Sequence, residues 1–421
     1  MSQLLGSPLV LPSGASLGNR LAKAAMSEVL ADPETNAPTD ELIRVYERWA
    51  RSGAGLLITG NVMVDPAGRG EPGNVVIVDD RHLAGLRRWA EAAQAHGARL
   101  WMQLNHAGRQ APKRLTRQPV APSAVPMKGM AGMFAKPRAL EDAEITAIVE
   151  RFGVAAAVAK DAGFSGVQVH AAHGYLISQF LSSRTNLRDD AWGGDPVRRS
   201  RFLLEVVRAI RAAVGPAFPI GVKLNSADFQ RGGFTIEESM DVARALEQAG
   251  IDLLEVSGGN YESPAMTGSG ELPQRASSRG REAYFLEYAR RIRTVTKLPI
   301  LLTGGMRSRA VMEEAIASGA VDVIGMARPM THTPELPARL LDGTLDAAPP
   351  VAIRSRIRFV DDAIQAMWFQ QQIEELAHGR EPNLRLGAWT ALWRGLRAHM
   401  RPGKPKRRPA RPVPALAGKV S

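Results

Sequence analysis

The stretch that decides the fold class is Gly166-Val-Gln-Val-His170-Ala-Ala-His173-Gly-Tyr175. It begins as an alternating strand and ends in polar side chains. The valines at 167 and 169 suit the apolar side of a strand, so Gln168 and His170 face the opposite side, toward the lumen of a barrel. Barrel enzymes build their active sites at the C-terminal ends of parallel strands, where this stretch ends. It therefore predicts one strand of an enzyme barrel.

Seven more apolar runs surround this strand, and amphipathic helical patterns separate most of them. The eight predicted strands are 20–26, 55–61, 99–105, 166–171, 220–225, 252–258, 299–303 and 322–327. The helical patterns, each followed by a glycine that can cap the helix, are Glu41–Ser52, Leu83–His96, Ile145–Ala162, Ile236–Ala249 and Arg309–Ser318. This alternation predicts an α/β fold, the TIM (β/α)8 barrel. A doubly wound open sheet is the alternative, but no GxGxxG motif follows the first strand.

Two regions depart from this repeat. Residues 107–140 make a connection after the third strand that is too long for an ordinary loop, and we expect a hairpin or lid over the barrel. Beyond the barrel the composition changes twice. We predict that the barrel occupies residues 1–345, that a helical C-terminal extension follows over 350–400, and that a basic, proline-rich tail over 401–421 is disordered.

The extension contains two predicted helices, the first over 355–378. The second carries an apolar stripe at spacings of three and four, formed by Leu386, Trp389, Trp393, Leu396 and Met400. An apolar stripe with this period is typical of a helix face that packs against another surface. Packing on the barrel or on a second subunit is one alternative, and contact with an anionic membrane surface is the other.

Composition limits the chemistry and the partners. The 421 residues include no cysteine, which excludes disulfides, cysteine-ligated zinc and conventional iron–sulfur clusters. We expect a cytoplasmic protein, because the first residues lack the features of a secretory signal and no apolar run reaches about 18 residues. Seven of the charges behind the net +12 lie in the tail after Met400. No nucleic-acid motif accompanies them, so we predict no nucleic-acid partner.

Alternation also predicts which polar side chains enter the barrel. Gln103 and Asn105 on the third strand, Lys223 on the fifth and Glu255 on the sixth should all face the lumen near the strand ends. A lysine in a barrel interior is costly unless an anionic group meets it. That group is either a ligand or Glu255 itself, in which case the pair is purely structural.

The last two strands predict a site for a phosphate group. Gly304-Gly305 stands between the seventh strand and the next helix, and Ala327-Arg328 follows the eighth strand. Glycines before a helix N-terminus let backbone amides approach an anion. The loops after strands 7 and 8 are the usual phosphate site of barrel enzymes. A phosphorylated cofactor or substrate is therefore expected here.

These motifs resemble the Old Yellow Enzyme family of FMN-dependent oxidoreductases. The resemblance covers about Asn19 to Pro329 and keeps the family's order of motifs. The matching segments are Asn19-Arg20, Ala25-Met26-Ser27, Gln103-Leu-Asn-His-Ala-Gly-Arg109, His170-Ala-Ala-His-Gly-Tyr-Leu-Ile-Ser-Gln-Phe-Leu181, Asn186-Leu-Arg-Asp-Asp-Ala-Trp-Gly-Gly194, Thr303-Gly-Gly305 and Gly325 to Arg328. Ala25 stands where relatives often have Pro, and Ser27 where they have Thr or Cys.

The resemblance implies FMN as the cofactor and NADPH or NADH as the hydride donor. It implies that Ala25, Met26, Ser27 and Gly60 meet the flavin ring, that Gln103 holds its pyrimidine edge and that Lys223 lies beside N1. It implies a phosphate cradle of Gly304, Gly305, Ala327 and Arg328. It also implies that hydride passes from flavin N5 to the β-carbon of an activated alkene.

By the same resemblance, His170 and His173 hydrogen-bond the substrate's carbonyl oxygen, and Tyr175 protonates Cα. Two N–H donors stabilise the negative charge that develops on that oxygen. Two histidines without a third ligand make a poor metal site, so we predict no metal. Alternatives stay open. The substrates could be quinones or nitro compounds, the reaction could be an oxidative demethylation, Lys223 could form a Schiff base, or the barrel could be a binding module.

Overall fold

A computed structural model describes residues 4–128, 132–228, 232–257, 278–351, 353–355 and 358–400. The predicted tail at 401–421 lies outside these residues. Eight parallel strands close into a barrel, as predicted, because the last strand pairs with the first and the first with the second. They are β1 (Leu21–Lys23), β2 (Leu56–Met63), β3 (Arg99–Asn105), β4 (Gly166–Ala171), β5 (Ile220–Asn225), β6 (Leu253–Ser257), β7 (Ile300–Thr303) and β8 (Val323–Met326). The predicted strand limits agree with these to within a few residues.

Helices surround the strands and continue beyond them. They are α1 (Asp40–Ala50), α2 (Leu83–Gln94), α3 (Asp142–Asp161), α4 (Leu176–Leu181), α5 (Pro196–Val214), α6 (Ile236–Gln248), α7 (Ser278–Arg293), α8 (Arg309–Ala317), α9 (Pro329–His332), α10 (Leu336–Leu341), α11 (Arg358–Ala377) and α12 (Ala388–Met400). The glycines predicted to end five of them, at 53, 97, 163, 250 and 319, have φ between +71° and +87°. This left-handed conformation favours glycine and explains why each helix stops there.

The N-terminal end of the barrel is filled and closed. A two-stranded ribbon (Leu9–Val10 with Ser16–Leu17) brings Leu11 and Leu17 against the lumenal residues of the strands, including Trp101. A Cβ on Gly166 or Gly221 would lie within 3.0 Å of the Trp101 ring. Glycine at these two positions therefore makes room for the indole, and the open end of the barrel is the C-terminal one, as in other barrel enzymes.

The long insertion after β3 is present where we predicted it. In its described residues, Val120–Ala121 pairs with Arg138–Ala139 in parallel, and an isolated antiparallel bridge joins Pro112 to Phe134. A hairpin requires antiparallel strands, so the expected hairpin is wrong for the longer pair. The start of the insertion contacts the end of the barrel, where Gln110 Nε2 donates to the His173 carbonyl at 2.9 Å.

The C-terminal helices pack in two layers. Helix α11 lies beside α1 and α9; Arg44 of α1 donates to the Ala377 carbonyl, and Gln370 of α11 donates to the Glu28 carbonyl. Helix α12 packs on α11 through small residues, since Ala391 is buried and a Cβ on Gly395 would collide with Met367. Of the predicted stripe, Leu386 is buried. Among the described residues, no helix is long and apolar enough to cross a membrane.

Candidate active site

A chain of polar side chains crosses the open end of the barrel lumen. Gln103 Nε2 donates to Gln168 Oε1 at 2.7 Å, and Gln168 Nε2 donates to Glu255 Oε2 at 2.7 Å. Glu255 Oε1 lies 2.9 Å from Lys223 Nζ. All four side chains are buried. The predicted inward directions are therefore confirmed, and the Lys223–Glu255 ion pair considered from the sequence is formed.

His170, His173 and Tyr175 come together next to this chain. The ring centroids of His170 and His173 are 5.1 Å apart, and those of His170 and Tyr175 are 4.9 Å apart. His170 Nδ1 accepts from the Ala172 amide at 3.2 Å, which assigns the proton of a neutral ring to Nε2. His173 Nε2 lies 2.8 Å from Ser257 Oγ. The structure thus forms one cluster from three residues of the opening stretch.

The electrostatics of the cluster keep both imidazoles neutral. Burial lowers the pKa of His170 well below its usual value, and the neighbouring His173 and Lys223 lower it further. Burial likewise lowers the pKa of His173, with a smaller contribution from Lys223. A neutral imidazole carries one N–H donor, so each ring can donate one hydrogen bond at neutral pH.

The backbone of His173 is held in an unusual conformation. Its φ is +60°, in the left-handed region that few residues other than glycine adopt. Its amide donates to Asn225 Oδ1 at 3.2 Å, and its carbonyl accepts from Gln110 Nε2 at 2.9 Å. One partner ends β5 and the other belongs to the insertion after β3. Tertiary contacts therefore stabilise the strained residue, as is common at functional sites.

Tyr175 is positioned by the helix that follows it. It is the N-terminal flanking residue of α4, and its ring packs on Ala107 and Ala111 of the insertion. The Leu176 amide donates to the His106 carbonyl at 2.9 Å, which ties the start of α4 to the end of β3. The tyrosine is thus fixed against the histidine pair by two elements.

The segment after β1 brings Ala25, Met26 and Ser27 to the same end of the barrel. Asn61 Nδ2 donates to Ser27 Oγ at 3.3 Å, and Asn105 Nδ2 donates to Asn61 Oδ1 at 3.0 Å. The predicted Gly60 packs tightly beside this segment, because a Cβ there would lie 2.2 Å from the Met26 carbonyl oxygen. Glycine at 60 is therefore required by the close approach of β2 to the segment.

The predicted phosphate cradle also lies at the barrel's C-terminal end. Gly304 and Gly305 have φ of +124° and +76° and connect β7 to the turn before α8. Arg328 precedes α9, and its guanidinium lies 5.8 Å from the Phe369 ring of α11. Ala327 stands between β8 and Arg328. Because β7 and β8 are paired in parallel, the Gly304-Gly305 turn and Ala327-Arg328 follow neighbouring strand ends.

A profile of the NADH:flavin oxidoreductase / NADH oxidase family matches residues 5–346. The chain belongs to the Old Yellow Enzyme family. It is 39% identical over 357 residues to the NADH-dependent flavin oxidoreductase iliE of Hypocrea jecorina, which covers 79% of this chain and 88% of that relative. Among solved structures, an Old Yellow Enzyme homologue from Zymomonas mobilis has a TM-score of 0.69 and 26% identity, over 85% of this chain and 98% of that one.

A longer protein of known structure matches more of the fold. A 2-naphthoyl-CoA reductase has a TM-score of 0.78 and 28% identity over 89% of this chain. This chain spans only 58% of that reductase. The predicted family, FMN and a nicotinamide donor are thereby confirmed, and the chain is an FMN-dependent NAD(P)H oxidoreductase.

The residues at the open end suit an FMN molecule chemically. A flavin needs hydrogen-bonding groups along its pyrimidine edge and a cation where reduction places negative charge; the buried Gln103 and Lys223 are groups of these types. The phosphate needs amides and a cation, which the Gly304-Gly305 turn and Arg328 can supply.

Sequence reasoning missed a buried cluster beneath the Ala25–Ser27 segment. Lys23 Nζ donates to Tyr46 Oη at 3.1 Å and to the Ile58 carbonyl at 2.7 Å, and it lies 3.8 Å from Glu28. Tyr46 donates to Glu28, whose Oε1 also accepts from the Gly60 amide. Burial lowers the pKa of Lys23 to about 8, although Glu28 raises it.

One signal in the sequence could have revealed this cluster. Lys23 interrupts the otherwise apolar run of the first strand, and Glu28 follows Ser27 directly. A charged residue in a buried strand requires a partner. The contribution of Tyr46 from α1 could be found only in the folded chain.

Proposed function

We propose that this oxidoreductase reduces the activated carbon–carbon double bond of α,β-unsaturated carbonyl compounds, using NADH or NADPH. The observation that supports this is the cluster of two neutral imidazoles and a phenol at the open end of the lumen. When bound, FMN supplies hydride transfer between the nicotinamide and the substrate. The chain's own residues supply binding, orientation and a proton.

The flavin would be held by residues on several strand ends. Gln103 and Lys223 would meet the pyrimidine side of the ring, while Ala25, Met26, Ser27 and Gly60 would border it from β1 and β2. Gly304, Gly305, Ala327 and Arg328 would bind the phosphate. The ion pair of Lys223 with Glu255 fixes the direction of the ammonium, which preorganises it for developing negative charge.

His170 and His173 would donate to the carbonyl oxygen of the substrate. Charge grows on that oxygen when hydride arrives at the β-carbon, and two fixed N–H donors stabilise it. Neutral rings suit this role, because they donate without placing a second and third cation next to Lys223. Hydrogen bonds to Asn225 and Gln110 hold the His173 backbone, and Ser257 Oγ contacts its ring at 2.8 Å.

Tyr175 would deliver the proton to Cα. Its ring lies against His170, and α4 keeps it there. Donation by a positioned acid contributes about 10²- to 10⁴-fold to a rate. Hydride at the β-carbon and a proton at Cα together complete the reduction of the double bond.

The direct test uses the purified flavoprotein. Anaerobic NADH or NADPH should bleach the flavin absorption, and 2-cyclohexenone or N-methylmaleimide should restore it with one equivalent of reduced alkene formed. A flavin that is bleached but is not reoxidised by any activated alkene would exclude this substrate class. In that case quinones and nitro compounds, the alternative acceptors of the same site, are tested next.

The Schiff-base alternative is disfavoured by one contact. A Schiff-base lysine must attack a carbonyl with its amine, whereas Lys223 Nζ is engaged with Glu255 at 2.9 Å. Borohydride trapping of a carbonyl substrate on Lys223 would reverse this conclusion. Lys223→Met serves as the control for trapping at another lysine.

A further inference from the structure

The largest apolar side chains of helix α12 face away from α11, the helix on which it packs. It contacts α11 through Ala391 and Gly395, which are small. Trp389, Trp393 and Leu396, spaced by four and three residues, face outward with 54%, 59% and 46% of their surface exposed. Soluble surfaces rarely leave two neighbouring tryptophans uncovered, and such a patch marks an interaction site. The packing of α12 on α11 therefore leaves Trp389, Trp393 and Leu396 exposed in the described chain.

The charged side chains of residues 382–421 are all positive. From Pro382 to Ser421 there is no Asp or Glu, and the basic residues are Arg385, Arg394, Arg397, Arg401, Lys404, Lys406, Arg407, Arg408, Arg411 and Lys419. Their sum of ten leaves 12 − 10 = +2 for residues 1–381. The net charge of the protein is thus concentrated in the helix and the sequence that follows it.

The arginines on α12 lie beside the aromatic stripe. Arg397 lies 5.2 Å from the Trp393 ring, and Arg394 lies 4.0 Å from Glu375 of α11 with its side chain 45% exposed. Arg385, just before the helix, is exposed. Arginine and tryptophan side chains each combine an apolar body with a polar end, which suits the boundary between lipid headgroups and acyl chains.

We propose that the outward face of α12, defined by Trp389, Trp393 and Leu396, binds the surface of an anionic lipid bilayer. The apolar side chains enter the headgroup boundary, while the arginines and the basic sequence beyond them attract anionic lipids. Tryptophan is the residue most typical of this boundary.

The same features disfavour two other occupants. A second copy of the chain on this face would bring two sets of positive charges together, with no acidic residue from 382 onward to pair with them. A nucleic acid would match the charge but would leave the aliphatic Leu396 and the indole edges without an apolar environment. A bilayer meets both requirements at once.

The test is co-sedimentation of the full-length holoenzyme with vesicles. We expect binding to vesicles of phosphatidylcholine with phosphatidylglycerol, a blue shift of tryptophan emission, and loss of binding in high salt. Trp389→Ser with Trp393→Ser should weaken binding at least about tenfold. Leu187→Ser with Val197→Ser, at exposed apolar residues elsewhere, is the matched control and should bind like the parent.

Other outcomes overturn the proposal. They are equal binding to pure phosphatidylcholine, retention of vesicle binding by the tryptophan variant, and binding of duplex DNA in place of vesicles. A dimer that the tryptophan substitutions dissociate, with no vesicle binding, would assign the face to a second copy. Flavin content and cyclohexenone turnover in solution should be unchanged in the variant, so this test is independent of the proposed function.

Discussion

Tyr175 and the two histidines are the residues on which the proposed chemistry depends. They come from one short stretch, yet their rings meet because His173 adopts a left-handed backbone and turns the chain back on itself. In the proposal the two histidines bind the carbonyl oxygen of the substrate and Tyr175 donates the proton, so single substitutions should separate substrate binding from proton donation.

Tyr175→Phe should leave flavin reduction by the nicotinamide intact and slow alkene reduction by about 10²- to 10⁴-fold, because only the proton donor is lost. Stopped-flow measurement of the two half-reactions checks this. The ring and its packing on Ala107 and Ala111 remain in the variant. Unchanged alkene turnover would remove Tyr175 from the mechanism.

His173→Ala should weaken the binding of phenols and enones, since one of the two donors to the ligand oxygen disappears. His173→Asn is the matched variant, because Asn keeps an N–H donor and tolerates positive φ. We expect roughly a tenfold loss of affinity for Ala and a smaller loss for Asn. Flavin absorption changes on titration with a phenol measure both. Equal affinities in all three proteins would contradict the carbonyl-binding role.

Lys23→Met should destabilise the protein by about 3–5 kcal/mol, because it leaves Glu28 buried without its cation. The double variant with Glu28→Gln should recover part of the loss. Denaturant unfolding of the flavin-loaded protein measures both. Arg208→Ala removes an exposed ion pair with Glu205 and should cost at most about 1 kcal/mol. If Lys23→Met also lowers the free energy of unfolding by no more than about 1 kcal/mol, the buried cluster is not a source of stability.

At the scale of elements, α11 connects the C-terminal extension to the proposed flavin site. Gln370 holds the Glu28 carbonyl, next to Val29 with its unusual φ of +58°, and Phe369 lies against Arg328. Trp368 is fully buried and donates to the Leu386 carbonyl at 3.0 Å. The helix thus contacts the segment after β1 and Arg328 after β8, which border the proposed flavin site.

A chain that ends after Gly387 should keep its flavin, whereas one that ends after Thr344 should lose it. The first lacks α12 but retains α11 and Leu386; the second also lacks the contacts to Glu28 and Arg328. Gel filtration followed by flavin absorbance measures the retained cofactor. Flavin retention by the shorter chain would show that α11 does not support the site, and Gln370→Ala would then have no effect on FMN affinity.

At the scale of the whole molecule, four histidines make stability sensitive to acid. Burial lowers the pKa of His106 and His332 to about 4, and it lowers those of His170 and His173 well below their usual value. The unfolded chain therefore binds more protons than the folded one below about pH 6.5. Stability should fall as the pH drops from there toward 4.

Thermal unfolding at a series of pH values checks this expectation. His106→Gln removes one of the four groups while keeping an acceptor for the Gly108 amide, so its stability should depend less steeply on pH between 6.5 and 4. If the Tm of His106→Gln falls with decreasing pH as steeply as that of the parent, His106 does not contribute to the acid sensitivity.

The sequence by itself determined the strands, the glycine-ended helices, the barrel and the family. Each of these depends on local periodicity or on residues that are close in the chain, such as the His170 to Tyr175 stretch. Alternation alone predicted that Gln103, Lys223 and Glu255 face the lumen, because successive side chains on a strand point to opposite sides.

The tertiary structure decided how residues far apart in the chain meet. It paired Lys23 with Tyr46 and Glu28, placed Gln370 on the segment after β1, and made the strand pair in the insertion parallel. It also decided which side of α12 packs. The period of the helix identifies a stripe, but only the contact of Ala391 and Gly395 with α11 shows that the tryptophans face outward. The physical reason is that periodicity specifies a face, whereas its partner depends on which surfaces fit together in space.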